Sequence, residues 1–597
     1  MKRFLVYLMV LSMCLVSLSG CVVSTADKTD NIKLSDAADK TDWLSSYDGL
    51  IRYDDNWFDR FTMNFGGTLQ FANIGAKTFE DTASVAAPSM AAPEAVDESV
   101  ISPLEGATLE EATDFSTAEF RSIEENGFVN ALTSPLSTFG ADVDTASYCF
   151  VRQSIYDIAD AIRSENVNSE NAAEYYTTLD PQSVRVEEVL NYFDYDYEKP
   201  SGDDKFTVNT EVARSPWNDN LILRIGIRAA EYDRKSAGSN VVLLVDTSGS
   251  MFDSNKLPLV QKAIGILSDS FTENDRISLV TYAGLDTILL DSVPGNDKEQ
   301  IMKAVDDLEA YGFTNGAAGI NTAYELAAKN FIENGNNRVI LMTDGDFNVG
   351  QTSESQLVSL IEEKRNNGVF LSVCGFGTDN YSDTRMEALA DNGNGNYDYI
   401  DCSREAEKFF RNEFESTMYT VAKDVKFQVD FNPVMVKGYR QIGYENRQMA
   451  AEDFADDTKD GGEVGSGQTV TVLYELIPAD SDTEIASVSS NYVKSDVSND
   501  SKDYCTVHIR YKGPDSDKST EVTQTVSELS DTMSPDMDFA VGVAQIVALL
   551  RESEYAGNFS YDDVIKRLGD VASDDNEKAE FLFLAKTLAK WEEMTEK

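Results

Sequence analysis

Apolar positions in the central third of the chain follow two alternating rhythms. Residues 240–245 form an unbroken apolar run, Asn-Val-Val-Leu-Leu-Val, which predicts a strand covered on both faces. Leu257, Val260, Ile264, Leu267 and Phe271 then recur every three or four positions and predict a helix with one buried stripe. A strand over 276–282 and an edge-like strand over 287–290 come next. One helix carries Ile301, Val305 and Leu308, and another carries Ile320, Tyr324, Ala327 and Phe331. Strand 338–342, helix 356–365, strand 369–374, helix 384–390, strand 397–400 and a last helix from Glu405 complete the series. Strand–helix alternation over ~180 residues predicts an α/β fold, a doubly wound parallel sheet with right-handed crossovers. Ligands of such sheets gather at the carboxyl ends of the strands, where the strand order reverses.

On either side the rhythm shortens to two. Leu221, Leu223, Ile225 and Ile227 share one face, as do Val425, Phe427, Val429 and Phe431, then Val470, Val472, Tyr474 and Leu476. Strands before Asn240 and after Tyr419 need partners, so the flanks are expected to share a sheet around an inserted α/β domain. Helical stripes close the chain: Phe539, Val543, Ile546 and Leu550, then Phe581, Leu584, Leu588 and Trp591. The resulting plan is an α+β flank at 118–237, the α/β domain at 238–420, a β region at 421–530 and a helical region at 531–597. Residues 21–117, with an Ala/Pro-rich stretch at 84–94 and an acidic continuation, read as a tether.

The amino terminus sets an expected compartment. Lys2 and Arg3 precede an apolar run over 4–18, the form of an export signal. It ends in Leu18-Ser19-Gly20-Cys21, which resembles a bacterial lipobox. That resemblance implies removal of residues 1–20 and acylation of Cys21, giving a lipid-anchored protein of the bacterial cell membrane that faces outside the cytoplasm. No later stretch approaches the ~20 apolar residues that cross a bilayer.

Charge and composition narrow the chemistry. With 104 acidic against 50 basic residues the formal net charge is −54, which repels nucleic acid and anionic lipid headgroups. Membrane contact is therefore expected only through the lipid. The single histidine, His508, removes HExxH zinc sites and most Ser-His or Cys-His catalysis. It falls on the polar face of a strand whose other face holds Cys505, Val507, Ile509 and Tyr511. Cys149, Cys374, Cys402 and Cys505 are too sparse for a disulfide scaffold and read as buried thiols.

Polar residues cluster where the doubly wound sheet predicts a ligand. The first strand runs into Asp246-Thr247-Ser248-Gly249-Ser250, the loop before the Ile320 helix holds Gly312-Phe313-Thr314-Asn315-Gly316, and strand 338–342 runs into Thr343-Asp344-Gly345. Two carboxylates and three hydroxyls leaving one sheet edge form an all-oxygen set suited to a hard cation. These residues resemble the metal-ion-dependent adhesion site of von Willebrand factor A domains: Asp-x-Ser-x-Ser, a distant Thr, then Asp-Gly. The resemblance implies Mg²⁺, with Mn²⁺ or Ca²⁺ as substitutes, held by Ser248, Ser250 and Thr314, with Asp246 and Asp344 acting directly or through water. It implies a sixth position taken by an Asp or Glu carboxylate of a protein partner. Asp346 and Asn315 are expected near the cation in support of its ligands. Residues 134–148, 185–197 and 439–447 resemble the flanking segments of a bacterial group of A-domain lipoproteins.

Three other patterns are set aside. Asp142-Val143-Asp144-Thr145 starts like a phosphatase nucleophile loop, but Ala146 breaks the motif and residues 137–141 lack the character of a buried strand, so a turn role is expected. The run from Asp344 to Ser355 lacks the glycine and glutamate of an EF-hand. The glycine loops lack the order of a phosphate cradle. The expected function is metal-bridged protein binding rather than catalysis. A metal that only stiffens the sheet is the main alternative, and metal-assisted hydrolysis a distant one.

Overall fold

The computed structural model describes residues 122–163, 179–231, 238–284, 286–312, 316–345, 354–377, 383–459, 461–485, 500–514, 516, 518–572 and 575–595. The expected signal, Cys21 and the tether lie outside these residues.

The amino-terminal flank contributes β1 (Val129–Asn130), β2 (Leu136–Gly140), α1 (Ala146–Arg163), α2 (Val186–Asn191), β3 (Phe206–Arg214) and β4 (Leu221–Ala229). The α/β domain follows with β5 (Ser239–Asp246), α3 (Leu257–Ser268), β6 (Arg276–Tyr282), β7 (Asp286–Pro294), α4 (Lys298–Asp306) and α5 (Gly316–Lys329). It continues through β8 (Asn336–Thr343), α6 (Glu354–Asn366), β9 (Phe370–Gly375), α7 (Asp383–Asn392), β10 (Tyr397–Tyr399), α8 (Ser403–Glu407) and α9 (Phe414–Met418). The carboxyl-terminal flank supplies β11 (Thr420–Phe431), β12 (Val436–Ile442), β13 (Val464–Gly465), β14 (Thr469–Pro478), β15 (Cys505–Lys512) and β16 (Ser519–Val526). It ends in α10 (Pro535–Leu550), α11 (Tyr561–Val571) and α12 (Asn576–Thr595).

The middle sheet has the order β10-β9-β8-β5-β6-β7, parallel except for the antiparallel edge strand β7. β5 is buried along its whole length, as its unbroken apolar run requires. This is the doubly wound α/β fold expected from the sequence.

The flanks do share a sheet. β4 and β14 pair antiparallel from Leu221↔Leu476 to Arg228↔Thr469, within a sheet ordered β1-β12-β14-β4-β3. A second antiparallel sheet runs β13-β11-β15-β16, with β2 also on β11. The inward faces of both sheets form one core containing Leu223, Ile225, Phe427, Val429, Val472, Tyr474, Val507 and Ile509. Phe431 stacks on Tyr439 at 4.0 Å between ring centroids, and Phe206 meets Tyr511 edge-on at 4.9 Å. The α/β domain is thus inserted in the chain between β4 and β11 of a β-sandwich whose two sheets each draw strands from both flanks.

One local expectation is corrected, and one helix was not expected. Residues 136–140 form a buried strand, although Ser137 and Thr138 are polar. Their hydroxyls are satisfied inside: Ser137 Oγ lies 2.9 Å from the Tyr474 hydroxyl, and Thr138 Oγ1 accepts from Gln428 at 2.9 Å. The long helix α1 was hidden by the Asp142–Thr145 turn before it. Its Tyr148 joins Tyr192, Phe193 and Phe581 in an aromatic cluster that docks the terminal helices on the amino-terminal flank. Among the described residues no helix is long and apolar enough to cross a membrane.

Candidate metal centre

Asp246 is the last residue of β5, and Asp344 follows the last residue of β8. These strands are neighbours, yet β5 leads to β6 on one side while β8 leads to β9 on the other. Diverging crossovers open a crevice at this carboxyl edge.

Both carboxyls are wholly buried. Asp246 Oδ1 accepts from the Ser248 amide at 2.9 Å, a turn that folds the serines back over the strand end. Asp246 Oδ2 accepts from the Tyr282 hydroxyl at 3.0 Å and the Thr343 hydroxyl at 3.1 Å. The Ser248 and Ser250 hydroxyls lie 3.0 Å apart. Burial raises the Asp246 carboxyl from 3.8 to about 6; the Asp344 charge adds to the rise, and hydrogen bonds from Ser248 and Tyr282 oppose it. Burial also raises the Tyr282 hydroxyl well above its usual value, which keeps it protonated as a donor.

The second loop is stitched to the first. The Gly249 amide donates to the Gly312 carbonyl at 3.2 Å, and the Tyr311 amide donates to the Thr247 carbonyl at 2.8 Å. Thr314 lies two residues beyond Gly312, and it, Asn315 and Asp346 are outside the described residues. Close packing of α5 on β6 fixes Tyr282 from behind: a Cβ at Gly319 would stand 2.8 Å from the Tyr282 Cβ. Four of the five expected ligands therefore occupy one buried edge. Two adjacent carboxyls with two hydroxyls beside them fit a hard divalent cation.

Three partners escaped the sequence reading. Tyr282 and Thr343 end strands at the same edge, a position that the strand registers alone could have flagged. Lys256 is the third. Its ammonium donates to Asp344 Oδ2 at 3.1 Å, and both side chains are buried. Its stem crosses Gly377, which has φ +73°; a Cβ there would lie 2.4 Å from Lys256 Cε.

A different group, Cys149, Asp401 and Glu405, brings three potential ligand atoms within 4.8 Å of one another. Arg152 already fills that space. Its guanidinium reaches Asp401 at 2.5 and 2.9 Å, Glu405 at 2.8 Å and the Cys149 sulfur at 3.6 Å. Burial raises the Cys149 thiol well above its usual value, which favours the neutral thiol beside the guanidinium.

Comparison with known proteins agrees with this topology. The family model of the von Willebrand factor type A domain matches residues 240–412, and one described as von Willebrand factor matches 114–182 and 174–224. A model of the carboxyl-terminal part of the uncharacterized protein YfbK matches 416–590. YfbK of Escherichia coli (strain K12) is 38% identical over 485 residues, covering 78% of this chain and 80% of that protein. The chain belongs to the YfbK family of von Willebrand A-domain proteins. The YfbK match spans insert and flanks together, so the sandwich is as much a part of the family as the A domain. Protein sll0103 of Synechocystis is 25% identical over 237 residues, covering 39% of this chain and 55% of its own. A solved von Willebrand factor type A protein from Catenulispora acidiphila aligns over 68% of this chain and 90% of its own, at 14% identity and a TM-score of 0.37. Von Willebrand A domains generally mediate protein–protein interactions and commonly bind a divalent metal.

Proposed function

We propose that the protein is exported, anchored by lipid at Cys21, and binds a partner protein through one divalent cation, Mg²⁺ in the first instance. Asp246, Ser248, Ser250, Thr314 and Asp344 hold the cation, and an Asp or Glu of the partner completes its shell. The observation that carries this reading is the meeting of Asp246, Ser248, Ser250 and Asp344 at the reversal point of the sheet. A carboxylate approaching a chain with a net charge of −54 is repelled at long range, so the cation supplies the local attraction.

Binding is favoured over a purely stiffening role by the rim of the crevice. Phe252 is 79% exposed just past the two serines, and Tyr311 is 64% exposed on the loop stitched to them. Bare aromatic rings beside a site are typical contact residues of protein interfaces. Catalysis finds no support in the histidine: His508 lies on β15 of the sandwich, 2.9 Å from Glu521. The test is partner capture on intact cells by cross-linking. Capture is expected to be lost with EDTA and in Asp246→Ala; capture that persists under both refutes metal bridging.

A further inference from the structure

We infer that Lys256 is a tethered counter-cation of the metal centre, one that weakens metal binding and leaves the loaded centre positive enough to attract a carboxylate. This inference rests on the metal-bridged reading above and assigns a part to a residue outside the ligand set.

Lys256 reaches the crevice from the start of α3 and places its ammonium on Asp344 Oδ2 at 3.1 Å, with both groups out of solvent. The approach is built in. Gly377 leaves no Cβ in the path of the lysine stem, and its left-handed backbone disfavours any larger residue. A buried carboxylate beside a second one must be compensated, and in the absence of an ion the ammonium does this for Asp344. The compensation differs in kind from that at Arg152, whose planar fork holds three carboxylates at once. Lysine is a point charge on a flexible stem, making one contact that an incoming ion can displace.

The charge balance follows. Two carboxylates and one ammonium leave the empty centre with a single negative charge, and a divalent cation turns that into a single positive one. Without the lysine the loaded centre would be neutral and would attract a carboxylate less strongly. A nearby positive charge also opposes entry of the metal, so Lys256 lowers the affinity and makes the ion easier to lose.

The experiment uses the full purified chain and the metal alone. Mn²⁺ and Mg²⁺ are titrated calorimetrically into the wild type, Lys256→Met and Lys256→Gln, and melting temperatures are taken with and without metal. Both variants are expected to bind about tenfold more tightly or better, since a unit charge a few ångströms from the ion is removed. Without metal they should melt below the wild type, and metal should raise their melting temperature by more than it raises the wild type's. Variants that fold only with metal support the inference equally. Unchanged or weaker metal affinity in the variants, with the wild type binding, overturns it and leaves the metal-bridged reading standing. If neither wild type nor variants bind metal, both fall. Failure of both variants to fold under either condition makes Lys256 a structural ion partner and overturns the inference.

Discussion

Two groups of buried acids in this molecule have opposite fates. At the crevice of the A domain, Asp246 and Asp344 are met by hydroxyls, an amide and one lysine. At the junction between α7 and the sandwich, Arg447 gathers Asp391 at 2.9 Å, Asp142 at 3.1 Å, and Asp144 and Glu387 at 3.4 Å. A backbone amide adds to the second group, from Tyr397 to Asp144 at 3.1 Å. Arginine cannot be exchanged, and its fork fixes the geometry of what it binds. The junction is therefore glue between insert and sandwich, whereas the crevice presents small, hard oxygen donors answered by one flexible lysine. Acidic residues alone do not distinguish the two; the cation that answers them does.

The largest expected effect comes from breaking a locked group. Arg152→Met removes the guanidinium shared by Asp401, Glu405 and Glu580 and is expected to cost about 3–5 kcal/mol, read by chemical denaturation. Mg²⁺ should not restore the loss; restoration would mean that this group, too, accepts an ion. Next, Asp246→Ala should abolish any rise of melting temperature on adding Mg²⁺, while Arg447→Met lowers the melting temperature but keeps the metal response. A metal response that survives Asp246→Ala would erase the distinction.

Acidity sharpens the comparison at smaller scale. Burial raises Asp246 to about 6 and Glu187 to about 7. A carboxyl raised on folding contributes stability that is whole below its unfolded value and is lost as pH climbs through the folded one. Metal-free protein is thus expected to melt several degrees higher at about pH 5 than at about pH 8. Glu405 and Glu580 are held low despite burial, by Arg152 together with Lys408 and Arg404 respectively, so they stay ionised across that window. A melting temperature that rises steadily from pH 5 to pH 8 in EDTA contradicts this. The smallest effect is that of His508→Ala, on the outer face of β15, expected within about 0.5 kcal/mol of the wild type.

Much of the A domain was legible because its inner strands are covered on both faces and therefore largely apolar. Strand 276–282 was read to the residue, and the Asp-x-Ser-x-Ser loop falls at a strand end that the period of the pattern locates by itself. The alternation in β15 was equally plain: Cys505, Val507, Ile509 and Tyr511 point inward and His508 outward. β2 was missed because its buried hydroxyls find partners 290 and 337 residues away, Gln428 and Tyr474, which no local window contains. The same holds for Lys256 and Asp344, 88 positions apart. Periodicity reports which face is buried; it is silent on which buried polar groups answer one another.

The chain enters the A domain at Ser239 and leaves it at Tyr419, and the hydroxyls of these two residues are 3.2 Å apart. With its entrance and exit side by side, the insert is a cassette: another sequence of the same fold could be exchanged for it without respacing the sandwich. β5 carries this entry point and the Asp246–Ser250 loop at its two ends, about 25 Å apart at the usual strand rise. Tension applied at that loop would travel down β5 and be shared by two backbone crossings into β4 and β11, where paired strands resist it together.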